Sequence, residues 1–478
     1  MLSIKSIKEK LNSNLFQAIR NSADQINKPT FVIGGYVRDS ILDDNSTIND
    51  VDIVIVGSAI ELASLVQKRL KGSSKIKFYK TFGTAMIKWN SINVEFVSSR
   101  KESYSTESRN PKVKIGTLED DQKRRDFTIN SLAIQLNSNY FGKFIDPFNG
   151  LKDLGKKILK TPLDPKITYN DDPLRMLRAV RFSSQLNFQI DQKSILAIKS
   201  NSKRIKILSK ERIVDELNKI IMTINPSKGF LLLDQLNLLN TILPELINLK
   251  GIEEIKGQKH KDNFYHTLEV LDNISMHTNN LWLRWAALLH DIGKAPTKKF
   301  SENLGWTFHG HEFVGAKMVY ELFKRLKLPL NEKMKYVQKL VLMSSRPVSL
   351  TKSTVTDSAI RRLIFDAGKD LDDLITLCEA DVTTKNYKRF NQYHENFKKV
   401  RIKIGKVEKR DKIRNFQPPI SGDYIMNYFN LRPCKEVGYI KENIKEAILE
   451  GEIKNEYNAA HKLMLKLGNK LGLKNEKK

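Results

Sequence analysis

The chain has 478 residues, enough for about three domains with cores of their own. Lys and Arg total 82 against 54 Asp and Glu, a formal charge of +28 that favours a polyanionic partner such as nucleic acid, although a lysine-rich composition accounts for part of it. Only two distant cysteines occur, Cys378 and Cys434, which argues against a disulfide framework or a Cys-based zinc site; with no signal-type N-terminus and no membrane-length apolar run, a soluble cytoplasmic protein without a membrane partner is expected.

In chain order, Thr30-Phe31-Val32-Ile33 reads as a short strand running into Gly34-Gly35 and then a helix with Val37, Ile41 and Leu42 on one side. Glycines there let the backbone approach a phosphate, and a helix N-terminus offers free N–H groups to an anion. Sixteen residues on, Asn49-Asp50-Val51-Asp52 leads into the β-branched run Ile53 to Val56, which reads as a buried strand. Residues i and i+2 of a strand share a face, so the Asp50 and Asp52 carboxylates project together and repel unless a cation lies between them. Mg²⁺ suits such a pair, since it takes one or two carboxylates plus substrate phosphates. An isolated Asp-x-Asp fits a solvated turn better; the segment upstream, with its glycine pair, reverses that preference.

Phe82 to Trp89 and Ile92 to Val97 read as further strands of the same sheet. Glu95 alternates with Val94 and Phe96, which makes it the candidate third carboxylate, with a surface Glu on an edge strand as the alternative. In Lys123-Arg124-Arg125-Asp126-Phe127-Thr128-Ile129-Asn130, adjacent guanidiniums match triphosphate oxygens and Asp126 can accept from a ribose hydroxyl. A basic loop with a helix cap is the competing account. Asp171-Asp172-Pro173-Leu174-Arg175 is expected to open a helix, with Asp172 and Arg175 three apart on one face. One carboxylate plus one guanidinium complements the donor–acceptor edge shared by cytosine and adenine; guanine and uracil present a carbonyl instead. A helix-capping ion pair would have the same spacing.

These motifs, in this order, resemble the polymerase-β-type nucleotidyltransferases, and more closely the class of tRNA CCA-adding enzymes and bacterial poly(A) polymerases. The resemblance covers about the first 220 residues. It implies that Asp50 and Asp52, with Glu95, hold two Mg²⁺ ions, and that Gly34, Gly35 and Arg38 line the triphosphate. Arg124, Arg125, Asp126 and Asn130 would surround ribose and phosphates. Asp172 and Arg175 would be the amino-acid template that selects CTP and ATP, with Asp171 standing where the family carries Glu. Arg178 and Arg181 continue that stripe toward triphosphate or RNA, and Ser209 to Leu217 matches a helix that buttresses the neck. Arg100 to Asp121 is similar to a flexible loop of CCA-adding members, which favours A-addition as well as C-addition.

In the second half, His260, His266, His290-Asp291-Ile292-Gly293-Lys294, His309-Gly310-His311-Glu312 and Asp381 resemble the HD metal-dependent phosphohydrolase domain. The resemblance implies a transition-metal site drawn from His266, His290, Asp291, His311 and Asp381. Ser344-Ser345 stand before Arg346-Pro347 where related chains carry a histidine, which leaves both a hydrolase and a structural HD fold open.

The expected fold class is α+β: a nucleotidyltransferase head with a small mixed sheet and helices over residues 1–155, then an all-α neck at 156–225, a helical HD-type body at 226–400 and a helical RNA-binding tail at 401–478. The expected activity is template-independent addition of CCA to the 3′ end of tRNA from CTP and ATP, with pyrophosphate released and the acceptor arm gripped by charge and shape. The alternatives are a poly(A) polymerase, an HD phosphohydrolase with a vestigial head, and a non-catalytic RNA-binding protein. Oligomeric state is not readable.

Overall fold

A computed structural model describes residues 9–42, 49–79, 83–105, 108–350, 356–411, 414 and 416–473. The start of the strand expected at Phe82 and the basic tail at Asn475 to Lys478 lie outside these residues. The chain divides into two compact units, 1–244 and 245–478.

In the first unit, helix α1 (Asn14–Gln25) precedes strand β1 (Thr30–Ile33), helix α2 (Gly35–Leu42), strand β2 (Asp50–Ile55) and helix α3 (Ala59–Arg69). Strands β3 (Lys77–Tyr79), β4 (Thr84–Trp89) and β5 (Ile92–Ser98) follow; then come the hairpin β6 (Arg100–Ser105) and β7 (Ser108–Ile115), helix α4 (Leu118–Lys123), β8 (Ala133–Gln135) and β9 (Phe144–Ile145). Seven strands form one mixed sheet in the order β3-β4-β5-β2-β1-β8-β9, with β2 and β5 parallel and their neighbours antiparallel. Phe31, Ile33, Val54 and Ala133 pack together on the sheet, and α3 buries Leu62, Ala63 and Val66. Each of the larger side chains among these contributes about 1.5–3 kcal/mol when fully buried. The segment read as a flexible loop is thus the β6–β7 hairpin followed by α4, which Thr117 and Asp120 hold with a reciprocal capping box.

Val37 and Ile41 are buried in α2 as expected, but Leu42 is exposed because it is the last residue of the helix and turns off the buried stripe. The Asp171–Asp172 reading also needs correction. Asp171 ends helix α5 (Pro165–Asp171), and Asp172 sits in extended backbone before helix α6 (Leu174–Leu186). Pro173 disfavours the helical region for the residue before it, so the chain breaks there. The Asp172 carboxylate instead accepts from the Leu174 N–H at 3.1 Å, capping α6 from outside it. Helix α7 (Lys210–Ile221) packs against α6.

The second unit is helical: α8 (Asn263–Ser275), α9 (Leu281–Leu289), α10 (His311–Leu326), α11 (Glu332–Met343), α12 (Asp357–Ala367), α13 (Leu371–Ala380) and the long α14 (Tyr387–Asp411). Helices α8, α9, α11 and α13 pack on one another, and α10 packs on α11. Among the described residues, no helix is long and apolar enough to cross a membrane.

Candidate functional sites

The parallel pairing of β2 and β5 puts Asp52 directly opposite Glu95, and Asp50 opposite Asn93. All three carboxylates therefore stand on one face at one end of the sheet, as the alternation predicts. Asn93 donates to Asp50 Oδ1 at 2.9 Å. Burial raises the pKa of Asp52; Arg125 opposes that shift, and Asp50 adds to it. Glu95 is also pushed up, first by loss of solvent around its carboxyl and then by Asp52. The chemistry of such an acidic cluster suits a hard divalent cation.

Gly34 forms the wall beside it. Its φ of +81° is a left-handed conformation, and a Cβ there would lie 2.9 Å from Arg125 Nη1 and 3.3 Å from Asp52 Oδ2. The left-handed backbone calls for glycine at this β1–α2 turn, and a side chain there would also crowd the tips of Arg125 and Asp52. Arg125 Nη1 donates to the Asn130 carbonyl at 3.2 Å.

The remaining predicted residues form a buried chain of ion pairs. Asp121, fully buried, is paired with Arg124 and, at 3.3 Å, with Arg125; Arg124 also reaches Glu102 at 3.3 Å. Arg124 is thus held by two carboxylates, and Arg125 is the arginine that borders Gly34. Arg38 donates through Nε and Nη2 to Asp39 and through Nη1 to Asn130 Oδ1 at 2.6 Å. Asn130 in turn donates to Asp126 Oδ1 at 3.0 Å, and Arg178 donates to Asp126 Oδ2 at 2.7 Å. Burial would raise the Asp126 pKa, but Arg178 and the Asn130 hydrogen bond outweigh it and bring the carboxyl down to about 2. Arg175 donates to the carbonyls of Thr168 at 3.4 Å and Arg124 at 2.5 Å, and Arg181 pairs with the buried Glu216 of α7 at 2.9 Å.

Sequence reading missed three members of this network. Asp121 and Glu102 were not singled out, although Asp121 at three and four residues before Arg124 and Arg125 is a detectable signal. Phe182 carries the guanidiniums of Arg38, Arg178 and Arg181 at 4.9, 5.3 and 4.1 Å from its ring centroid. The i+4 spacing of Phe182 from Arg178 hints at one of these contacts, and nothing local announces the other two.

In the second unit, Asp262 caps α8 by accepting from Phe264 and Tyr265, which fixes His266 in the first turn. His290 and Asp291 follow the end of α9, and Asp381 follows α13. His266 Nε2 lies 2.8 Å and His290 Nε2 lies 3.4 Å from Asp381 Oδ1. One ligand atom from each of these three lies within 4.8 Å of the others. Asp291 borders the cluster, 3.4 Å from His290 and 2.6 Å from Lys294 Nζ. His311 Nε2 lies 3.7 Å from Asp291, while its Nδ1 faces the Phe308 carbonyl at 2.9 Å and Glu312 at 3.4 Å. A Cβ on Gly293 would fall 2.0 Å from the His311 carbonyl oxygen, so glycine is what lets these two segments touch.

His290 Nε2 is buried without a hydrogen-bond partner, while its Nδ1 faces the Ala287 carbonyl at 2.8 Å, the arrangement of a ring poised to ligate. Burial alone would lower its pKa, yet the two neighbouring carboxylates lift it to about 10. A transition metal fits this donor set. Lys261 and Thr383, both within 2.9 Å of His266 Nδ1, were not anticipated. Ser345, at the place where a histidine was missing, donates to Glu312.

Comparison with known proteins finds a Poly A polymerase head domain over residues 30–160, a probable RNA and SrmB-binding site of polymerase A over 187–249, and an HD domain over 263–385. An A-adding tRNA nucleotidyltransferase of Aquifex aeolicus is 29% identical over 386 residues, 74% of this chain but 45% of that protein, so the chain spans under half of it. A multifunctional CCA protein of Shewanella frigidimarina is 30% identical over 371 residues, covering 74% of this chain and 83% of that one. The crystal structure of a Bacillus stearothermophilus CCA-adding enzyme in complex with CTP superimposes with a TM-score of 0.69 at 20% identity, covering 96% of this chain and 99% of the other, and shares its fold. The head and HD domains imply use of divalent metal.

Proposed function

The chain belongs to the tRNA nucleotidyltransferase family that shares its head domain with poly(A) polymerases, and from that premise we propose that it adds CCA to the 3′ end of tRNA from CTP and ATP in the cytoplasm. The observation that carries this reading is the in-register pair Asp52 and Glu95, with Asp50, beside the glycine wall and Arg125. Bound at these carboxylates, two Mg²⁺ ions supply the charge neutralisation that nucleotidyl transfer requires. The 3′-hydroxyl oxygen forms a bond to the α-phosphorus and gives its proton to water, and the bond from that phosphorus to the oxygen bridging to the β-phosphate breaks to release pyrophosphate.

The chain's own residues set the geometry. Gly34 leaves room for the triphosphate beside Arg125, whose charge faces it. Arg38 and Arg178 position Asn130 and Asp126, keeping Asp126 ionised toward a ribose hydroxyl. Asp172 and Arg175 read the base, which requires the Arg175 guanidinium to exchange its carbonyl partners for nucleobase acceptors. On this reading the neck at 156–225 selects the base, and the body and tail hold RNA. The HD cluster holds a transition metal through His266, His290 and Asp381, with Asp291 at its border.

A second reading, addition of the terminal A alone, is favoured by the name of the Aquifex relative. Supplying CTP and ATP separately to tRNAs ending before CCA and after CC separates the two. CCA addition gives CTP incorporation on the first substrate and ATP on the second; A-addition gives only the second. A long adenylate tail indicates a poly(A) polymerase, and no incorporation on either substrate overturns the proposal.

The template assignment has its own test. Arg175→Ala lowers discrimination of CTP and ATP against UTP and GTP by about tenfold to a hundredfold, the worth of one bidentate base contact. Selectivity equal to that of the unaltered protein removes Arg175 from base reading.

A further inference from the structure

We propose that Phe182 is a positioning residue for ribonucleotide selection: its ring holds in place the three groups that aim the Asp126 carboxylate at the ribose of the incoming nucleotide. This role rests on the assignment of Asp126 to the ribose and adds to it the side chain that sets its aim.

Asp126 is fixed through both of its oxygens. Arg178 donates to Oδ2 at 2.7 Å, while the Asn130 amide and the Phe127 N–H donate to Oδ1 at 3.0 and 2.9 Å. Each of these donors leans on Phe182. The Arg178 guanidinium, one turn back on the same helix α6, lies 5.3 Å from the centre of the ring. Phe127 meets the ring edge to face, with centroids 5.8 Å apart at 86°. Asn130 is held at one remove. Arg38, 4.9 Å from the ring centroid, donates to Asn130 Oδ1 at 2.6 Å, and that bond turns the amide NH₂ toward Asp126. Because Arg38 belongs to α2, the ring also ties α6 to the helix that leaves the glycine turn.

Packing alone would not call for an aromatic side chain here. Phe182 is 5% exposed and Arg38 4% exposed, and Arg181 brings a third guanidinium to 4.1 Å from the centroid. Guanidiniums do not deprotonate in proteins, so three like charges converge on one buried side chain and repel one another. Their carboxylates, Asp39, Asp126 and Glu216, belong to three separate segments and give them no common anchor. The π-face of Phe182 supplies an attraction that an aliphatic side chain of similar bulk lacks. Without it Arg38 and Arg178 can separate, the Asn130 amide loses its fixed orientation, and Asp126 keeps its charge but loses its aim.

CTP and dCTP differ only in the 2′-hydroxyl, so the ratio of their kcat/KM values on a tRNA lacking its CCA end reads that aim directly. Phe182→Leu is expected to lower the ratio about tenfold, the worth of a desolvated cation–π contact, chiefly through a higher KM for CTP and with kcat changed less. Phe182→Tyr keeps the ring and is expected to hold the ratio within about twofold of the unaltered value. Phenylalanine carrying one and then three ring fluorines, placed at the same position, preserves the shape while withdrawing charge from the ring face. Along that series the ratio is expected to fall stepwise.

A ratio that stays constant along the fluorine series overturns the inference even where Phe182→Leu lowers it, because packing would then be the whole effect. The same series decides the matter if Phe182→Leu fails to fold. Asp126→Asn separates this role from the ribose assignment beneath it. A collapsed ratio in Asp126→Asn with constant ratios in the Phe182 variants removes Phe182 alone. An unchanged ratio in Asp126→Asn, or equal use of CTP and dCTP by the unaltered chain, removes Asp126 from the ribose and this inference with it.

Discussion

Asp52→Ala lowers nucleotide incorporation by roughly a thousandfold, the several kcal/mol that metal-held charge stabilisation contributes to such a transfer. The magnitude follows from where Asp52 stands: opposite Glu95 in the parallel β2–β5 pair, two residues from Asp50, and 3.3 Å from the space a Gly34 side chain would take. Its stability effect has the opposite sign. The folded-state pKa of Asp52 is raised, so at neutral pH the ionised carboxylate disfavours the fold in the absence of a cation. Its removal should leave metal-free thermal stability unchanged or higher while activity disappears. Asp52→Asn, similar in shape but uncharged, should behave likewise. Incorporation within tenfold of the unaltered protein, measured at saturating CTP, ATP and tRNA, would remove Asp52 from the reaction.

What was legible in the sequence was what depends on local period. Val51 and Ile53 take one face and Asp50 and Asp52 the other because a strand alternates, and that rule needs no tertiary knowledge. Glu95 was legible by the same rule, and the register that pairs it with Asp52 follows from two runs whose buried residues must share a face. His266, His290 and Asp381 were legible as residue types, but their meeting depends on α8, α9 and α13 packing together. The Asp171–Asp172 error shows a local rule applied incompletely. Acidic residues before Pro173 look like a helix start, yet the steric demand of proline on Asp172 ends one helix and delays the next. The fate of two arginines was not legible. Arg178 and Arg181 read as a stripe toward triphosphate or RNA, but Asp126 and Glu216 come to them from 52 and 35 residues away. Only the fold shows how much of that positive charge is neutralised internally, that of Arg125 included, since Asp121 lies 3.3 Å from it while it borders Gly34.

Arg178→Ala destabilises the first unit by about 3–5 kcal/mol, because it strands Asp126 as a buried charge without its counter-ion. Asp126 accepts from Arg178 at 2.7 Å, and its remaining donors are the Asn130 amide and the Phe127 N–H, neither of which carries charge. The linkage runs as follows for a carboxylate with a depressed pKa. With a folded value of about 2 against an ordinary 3.8, the group contributes about 2 kcal/mol at neutral pH, a contribution present above pH 3.8 and lost as pH falls toward 2. In Arg178→Ala that acid-sensitive contribution disappears, so unfolding of the first unit between pH 5 and pH 2 becomes less dependent on pH. Asp126→Asn combined with Arg178→Ala should recover part of the loss, since an uncharged amide no longer needs the guanidinium. A drop of roughly 10 °C in the melting temperature of the first unit is expected for the single variant, with a smaller drop for the pair. Equal losses in both would mean that Arg178 stabilises through its packing on Phe182 instead of through its charge, and the buried network would then no longer account for the position of Asp126.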